Sequence, residues 1–374
     1  MKRVGFVYLD ELQHIHHFLS PAVALATMPE ITVDILTYQG EHKYLRELLN
    51  LLEAKNINII ELSTYGYRRV LEKWRKRKQP SALYIFKKHK KKFLAYDALV
   101  FTDHTAGVVK DARGKEPLPK LVFIDHGAGD GAYGYKDSHA MFDTVIVAGE
   151  KKAERLKKEL PQHTFKLLIG GYAKFDLVRA EQPQFNPFGN DKPVVLYCPH
   201  FSRELSSWYK MGLDILEFFY SQEQYNLIFA PHYNLFNKKG FEEPGSIPKK
   251  YHSANHIYID TGSRRSVNMT YTLNSDIYLG DVSSQVYEFM YRPRPLIFIN
   301  AHQVSWQTDE NYLMWRTGKV INSIAAMEEA LAATASWPQE LLAEEEKLFR
   351  YTFFKPAEPA GPRIAHLLLD EALS

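Results

Sequence analysis

Short runs rich in valine, isoleucine and leucine alternate with helical patterns along this chain, stop at a proline-rich stretch, and then begin again. The first series of predicted strands is Val4–Leu9, Thr32–Thr37, Ile57–Leu62, Ala98–Thr102, Leu121–Ile124, Thr144–Val147 and Phe165–Ile169. Helical patterns at His17–Thr27, Glu41–Lys55 and Lys151–Glu159 separate several of them. Strands that are apolar on both faces and spaced by helices predict a parallel sheet covered on both sides. The stretch Ala180–Pro193 holds Pro183, Pro187 and Pro193 and has no apolar period, which predicts a domain boundary. Beyond it, strands are predicted at Val194–Tyr197, Asn226–Phe229, Ile257–Ile259, Asp276–Leu279 and Pro295–Ile299, with a helix at Tyr209–Ser221. Further helices are predicted at Ile324–Ala333, Pro338–Phe349 and Arg363–Ala372. At 374 residues the chain can bury two cores. The predicted class is therefore α/β, with two Rossmann-like, doubly wound domains facing across a cleft. Residues 1–182 form the first domain, 193–345 the second, and 346–374 are C-terminal helices packing back on the first.

A single cysteine, Cys198, excludes a disulfide framework and fits a reducing compartment. Its place at the end of a predicted buried strand gives it a packing role. No apolar run reaches the length of a membrane span, and Met1-Lys2-Arg3 leads straight into a strand, so the expected location is cytoplasmic. Charge is unevenly spread. Between Arg68 and Lys92 lie 12 basic residues against Glu72 alone, a balance of +11 that leaves −8 for the rest of a chain with net charge +3. Trp74, Tyr84 and Phe86 are interleaved with these charges. A basic amphipathic segment of this kind (residues 66–93) reads as a contact for an anionic membrane or polyanion, with Lys87, Lys88, Lys90, Lys91 and Lys92 as its contacts. The plainer reading is a solvated helical face. No nucleic-acid motif accompanies the patch, so nucleic acid is not expected as a partner.

Two strand-end segments carry the candidate chemistry, because ligands of doubly wound sheets bind beyond the carboxyl ends of strands. Ile277-Tyr278-Leu279 is followed by Gly280-Asp281-Val282-Ser283-Ser284 and then by an amphipathic pattern through Glu288. Ser283 or Ser284 can cap that helix, whose free N–H groups would seat a phosphate; an ordinary capped helix is the alternative. Far upstream, His126-Gly127-Ala128-Gly129-Asp130-Gly131 follows another apolar strand. An imidazole there can take a proton from an attacking hydroxyl. His232 and His200 end two strands of the second domain, where His232 as an imidazolium could stabilise a leaving phosphate. Both could equally be strand-end residues bonded to backbone. His14, His16 and His17 look like a metal tract, but only Glu11 stands near, so they are read as facing solvent or hydrogen-bond acceptors. Gly129-Asp130-Gly131 fails the dinucleotide spacing, and neither a Walker loop nor a G-x-S-x-G elbow occurs.

On these residues the chain resembles the CDP-glycerol glycerophosphotransferase family of teichoic-acid-type polymer synthesis. His126-Gly127 is similar to that family's His-Gly, and Gly171-Tyr172-Ala173-Lys174-Phe175-Asp176 to its Gly-x-Pro-x-x-Asp segment. Ala230-Pro231-His232 stands where the family has His-Pro. Gly280–Ser284, Glu288-Phe289 and Arg294-Pro295-Leu296-Ile297-Phe298 resemble its Asp-Tyr-Ser-Ser, acidic-Phe and Lys-Pro-Ile-Ile-Phe block. The likeness runs from about residue 120 to 300. It implies a GT-B fold, a CDP-alcohol donor held by the C-terminal domain, no metal or other cofactor, and a peripheral place on the inner face of the cell membrane. It further implies that His126 is the base for the acceptor hydroxyl and that His232 contacts the donor pyrophosphate. Gly127, His200, Asp281, Ser283, Ser284 and Glu288 would line the donor and phosphate site. Pro231 before His232, Val282 for an aromatic residue and Ala173 for proline depart from the pattern.

The function so implied is transfer of a glycerol-phosphate or related polyol-phosphate unit from a CDP donor to a hydroxyl of a lipid-linked or cell-surface glycan. CMP would be released, and the length suits single addition or decoration. An inverting GT-B glycosyltransferase with a nucleotide-sugar donor is the alternative within the fold. A nucleotide-sugar epimerase is also compatible with it. A non-catalytic glycan- or membrane-binding module is the alternative of another class.

Overall fold

The computed structural model describes residues 1–9, 12–40, 42–74, 80–237 and 244–373. Arg75–Lys78 of the basic segment, Glu41 at the predicted helix start and Glu11 beside the histidine tract lie outside the described residues. The chain divides into two compact units. The first comprises residues 1–126, 135–182 and 351–374, and the second comprises 127–134 and 183–350.

Among the described residues of the first unit, seven parallel strands are β1 (Lys2–Tyr8), β2 (Ile31–Tyr38), β3 (Ile57–Leu62), β4 (Ala98–Phe101), β5 (Lys120–Ile124), β6 (Thr144–Val147) and β7 (Lys166–Ile169). Their order is β3-β2-β1-β4-β5-β6-β7, so chain progression reverses between β1 and β4. The pleat sends Val4, Phe6, Val100, Val122, Ile124 and Ile146 to one face and Val7, Leu99, Phe101, Leu121, Phe123 and Val145 to the other. Ile15, Phe18, Leu19 and Ala22 of helix Ile15–Leu25 cover the first face together with Ile364, Ala365 and Leu368 of helix Ala360–Ala372. These two helices meet closely, since a Cβ on Gly361 would lie 2.4 Å from Ser20 Oγ. Asp176 ties the seam: its carboxylate accepts from Ser20 Oγ at 2.6 Å and from the N–H groups of Ala360 at 3.0 Å and Gly361 at 2.6 Å. The aspartate of the Gly171–Asp176 motif is therefore a cap on a helix whose two bonded amides lie 184 and 185 residues further along the chain.

The second unit repeats the plan. Strands β8 (Val194–Cys198), β9 (Asn226–Phe229), β10 (Ile257–Ile259), β11 (Ile277–Gly280), β12 (Leu296–Ile299) and β13 (Lys319–Ile321) pair in parallel in the order β10-β9-β8-β11-β12-β13. The reversal falls between β8 and β11, where Gly280 is in register with Cys198. Only glycine fits at 280, since a Cβ there would approach Tyr278 Oη to 2.7 Å and the Cys198 carbonyl to 2.9 Å. Cys198 is fully buried and its thiol is pushed well up by that burial, as suits packing rather than nucleophilic chemistry. β13 was not expected from the sequence. Helix Gln339–Thr352 runs past the predicted end and through the unit boundary at 350/351.

Candidate active site

In the first unit the segments after β1, β4 and β5 leave adjacent strands at the reversal point and supply the histidine tract, Thr102 and His126 respectively. Thr102 follows β4 directly, and its carbonyl oxygen lies 2.6 Å from His126 Nδ1. A carbonyl can only accept, so Nδ1 carries the proton and Nε2 keeps its lone pair. His126 is thus held in the tautomer a general base needs. Asp125, one residue earlier, is buried and ion-paired with the equally buried Lys152 at 3.0 Å.

The histidine tract is not solvent-facing. His14, His16 and His17 are 4%, 0% and 4% exposed. His16 sits 2.9 Å from Tyr44 Oη, while His14 shares a 2.9 Å hydrogen bond with Thr102 Oγ1. Burial lowers all three well below the ordinary imidazole range, and His126 lowers His14 and His17 further. The one-turn 3-10 helix Leu12–His14 and helix Ile15–Leu25 therefore begin before the predicted start at His17. Among the described residues no group of three or more His, Cys, Asp or Glu side chains is arranged to hold a metal ion.

In the second unit, His200 follows β8 and His232 follows β9. His200 Nδ1 accepts from the Ser202 N–H at 3.0 Å, and His232 Nδ1 accepts from the Asn234 N–H at 3.2 Å. Each ring is therefore protonated on Nε2, the tautomer opposite to that of His126. Burial lowers His200 to about 4, so it stays neutral at ordinary pH. An imidazolium at His232 would need a proton on the nitrogen that accepts from Asn234. The geometry favours a neutral N–H donor over the cation expected from sequence. The two rings are 5.6 Å apart, with Phe201 at 4.4 Å from His200 and 4.7 Å from His232.

Asp281 does not stand where a ligand could touch it. It is 0% exposed, and its oxygens accept from the N–H groups of His200 at 2.8 Å, Ser207 at 2.6 Å and Val282 at 2.8 Å. Burial raises it to about 6 against these bonds. Its role is to fix the His200 loop. Glu288 is likewise buried. The helix after the serine pair spans only Gln285–Phe289, too short to build the full dipole expected of it. Ser283 is buried, with its Oγ accepting from the Gln285 N–H at 3.3 Å, whereas Ser284 is half-buried. Of the two hydroxyls, Ser284 is the more accessible.

One bond here has no sequence signal. Asp130, in the glycine loop, is buried and accepts from Tyr287 Oη at 2.6 and 2.7 Å and from the Met314 N–H at 3.1 Å. This bond fastens loop 127–134 to the Gln285–Phe289 turn, and Gly129 lies against Ser284, where a Cβ would come within 3.3 Å. Gly127 opens the same loop and is half-buried.

A family model described as CDP-glycerol:poly(glycerophosphate) glycerophosphotransferase matches residues 125–358 of the 374. The chain belongs to this family. It is accordingly a transferase, and the matched span contains every candidate residue from His126 to Glu288. No curated protein matches the sequence. Among solved structures, UDP-GlcNAc 2-epimerase from Neisseria meningitidis bound to UDP-GlcNAc is similar, with TM-score 0.64, 15% identity, and coverage of 99% of this chain and 100% of that one. The S. aureus MnaA–UDP structure gives 0.65 and 12%, covering 100% and 98%. The wall teichoic acid polymerase TagF, soaked with CDPG, gives 0.60 and 14%, covering 100% and 89%. At these identities the likeness shows the fold, which is GT-B-like.

The basic segment of this family member lies outside the matched span and forms two helices, Gly66–Trp74 and Ala82–Phe93. Lys87, Lys88, Lys90, Lys91 and Lys92 are exposed, although Lys88 Nζ donates to Ser63 Oγ at 2.7 Å and to the Thr64 carbonyl at 2.9 Å. Tyr67, Val70 and Trp74 are 66%, 70% and 77% exposed at helical spacing. Arg68 lies over the Tyr84 ring at 3.8 Å and joins the two helices. Among the described residues no helix is long and apolar enough to cross a membrane.

Proposed function

We propose that the enzyme moves a glycerol-phosphate or related polyol-phosphate unit from a CDP-activated donor to a hydroxyl of a lipid-linked or cell-surface glycan acceptor. The observation that carries this reading is the tautomer of His126, whose Nε2 is left basic because Nδ1–H is bonded to the Thr102 carbonyl, in a chain of the glycerophosphotransferase family. The acceptor O–H gives its proton to His126 Nε2 as its oxygen bonds to the donor's β-phosphorus. The bond from that phosphorus to the bridging oxygen breaks, and the oxygen leaves with CMP. His232, His200 and Ser284 donate to the phosphate oxygens on which charge gathers, while Gly127 permits close approach of the backbone. Asp281 supports the His200 loop from the interior. The Thr102 carbonyl cannot take a proton onward, so the proton leaves His126 by the atom at which it arrived.

The test is incubation with a panel of CDP-alcohols and nucleotide sugars, with and without EDTA, reading the nucleotide released. CMP from a CDP-polyol, undiminished by EDTA, is expected, because the proposed site uses no metal or other cofactor. UDP or GDP released from a sugar donor would replace this reading with an inverting glycosyltransferase.

The proposal also places the enzyme in the cytoplasm, on the inner face of the cell membrane. The exposed lysines of one helix and the exposed Tyr67, Val70 and Trp74 of the helix before it support it, since cationic and apolar groups suit an anionic bilayer. Changing Lys87, Lys90, Lys91 and Lys92 to Glu should abolish sedimentation with phosphatidylglycerol liposomes, at about 1 kcal/mol lost per lysine. Unchanged sedimentation of the folded variant would reject the membrane contact.

A further inference from the structure

The His14-Ile15-His16-His17 tract is unexplained by the chemistry above, yet two of its rings pack directly on His126. The His14 ring centroid is 4.4 Å from that of His126, tilted by 50°, and the His17 ring meets His126 edge-on at 5.9 Å. Tyr172 backs His17 at 5.1 Å, again edge-on. Thr102 serves both neighbours at once. Its carbonyl accepts the hydrogen bond from His126 Nδ1–H, and its hydroxyl bonds His14 Nδ1. One residue at the end of β4 thus sets the rotation of two imidazoles that come from separate strand ends.

We propose that His14 and His17 are positioning residues that hold the His126 ring with Nε2 aimed for proton abstraction; this rests on reading His126 as the base. A histidine hung on one hydrogen bond can swing about the Cβ–Cγ bond, and a small misplacement of a catalytic group costs rate steeply. Packing by His14 and His17 removes that freedom. Both neighbours stay neutral because burial disfavours their charged forms, so they pack without placing a cation beside the base. Other charged or titratable groups around the cluster include His104 and His16, lowered to about 4 and about 3 chiefly by burial, Lys174, which acts on His17, and Asp125, paired with Lys152.

The test uses the full chain, labelled with 15N-histidine. In the wild type, the His126 spectrum should show the Nδ1–H tautomer alone. His14→Ala should add the second tautomer and lower kcat roughly 10- to 100-fold, with the donor KM changed less than about twofold. His14→Phe, which refills the packed face without the hydrogen bond, should restore the single tautomer and most of kcat. Thr102→Val keeps the carbonyl but frees His14, and should fall between them even if His14→Ala folds poorly. A merely structural role would lower thermal stability and leave the His126 tautomer untouched in every variant; that result would overturn the proposal. Because the spectrum is read without substrate, it stands apart from whether His126 is the base, which substitution of His126 itself decides.

Discussion

Replacing His126 with Ala should lower turnover by about 10²- to 10⁴-fold, the usual contribution of a positioned general base. Donor affinity should change little, because the proposed donor contacts lie on His200, His232 and Ser284. The asymmetry between turnover and binding is the informative part. His126→Gln or His126→Asn should be equally inactive, since neither side chain has a basic atom in place of Nε2. A protein that merely bound glycans or membranes would retain its function after the change. Single-turnover assays with a CDP-polyol, beside calorimetric titration of the same donor, measure both quantities. Loss of donor binding in parallel with turnover would count against His126 as a base and favour a structural part for it.

The second large effect is expected at the Asp130–Tyr287 bond. Tyr287→Phe removes a hydroxyl that approaches both oxygens of a buried carboxylate, a loss of about 1.5–3 kcal/mol in denaturant unfolding. Loop 127–134 would then be held less firmly against the turn that carries Ser284. A fall in kcat of about 10- to 100-fold should accompany the loss, because precision of placement and not a chemical group is what disappears. Asp130→Asn retains acceptor capacity and should be milder on both measures. If Tyr287→Phe loses stability while kcat is unchanged, the bond secures the fold alone.

Most strands were readable because burial on both faces of a parallel sheet leaves continuous apolar runs. Thr144–Val147 and Asn226–Phe229, buried throughout, fall where those runs predict, and the partly buried edge strands Ile57–Leu62 and Ile257–Ile259 are legible from their isoleucines alone. β13 was missed because Lys319-Val320-Ile321 is three residues long and opens on a lysine. Strand-end position drew attention to His126, His200 and His232, but could not say which ring nitrogen carries the proton. That depends on whether the local backbone offers a carbonyl or an N–H. The same position misled for Asp281, whose carboxylate turns inward to satisfy three amides. Of the two readings of the histidine tract, bonding to hydrogen-bond partners holds and solvent exposure does not; local sequence cannot choose between them when the partners, Thr102 and Tyr44, are 88 and 28 residues away. Tyr287 and Asp130, separated by 157 positions, leave no local pattern at all.

The first unit is assembled from three separate lengths of chain, and residues 183–350 of the second are threaded between two of them. A chimaera that imports a foreign segment at 183–350 would leave behind residues 127–134, shaped to the original Tyr287 and Ser284. To exchange the second unit between relatives, both lengths must travel together. A cut after residue 182 would also strip the Ile364, Ala365 and Leu368 cover from the sheet and expose an oily wall.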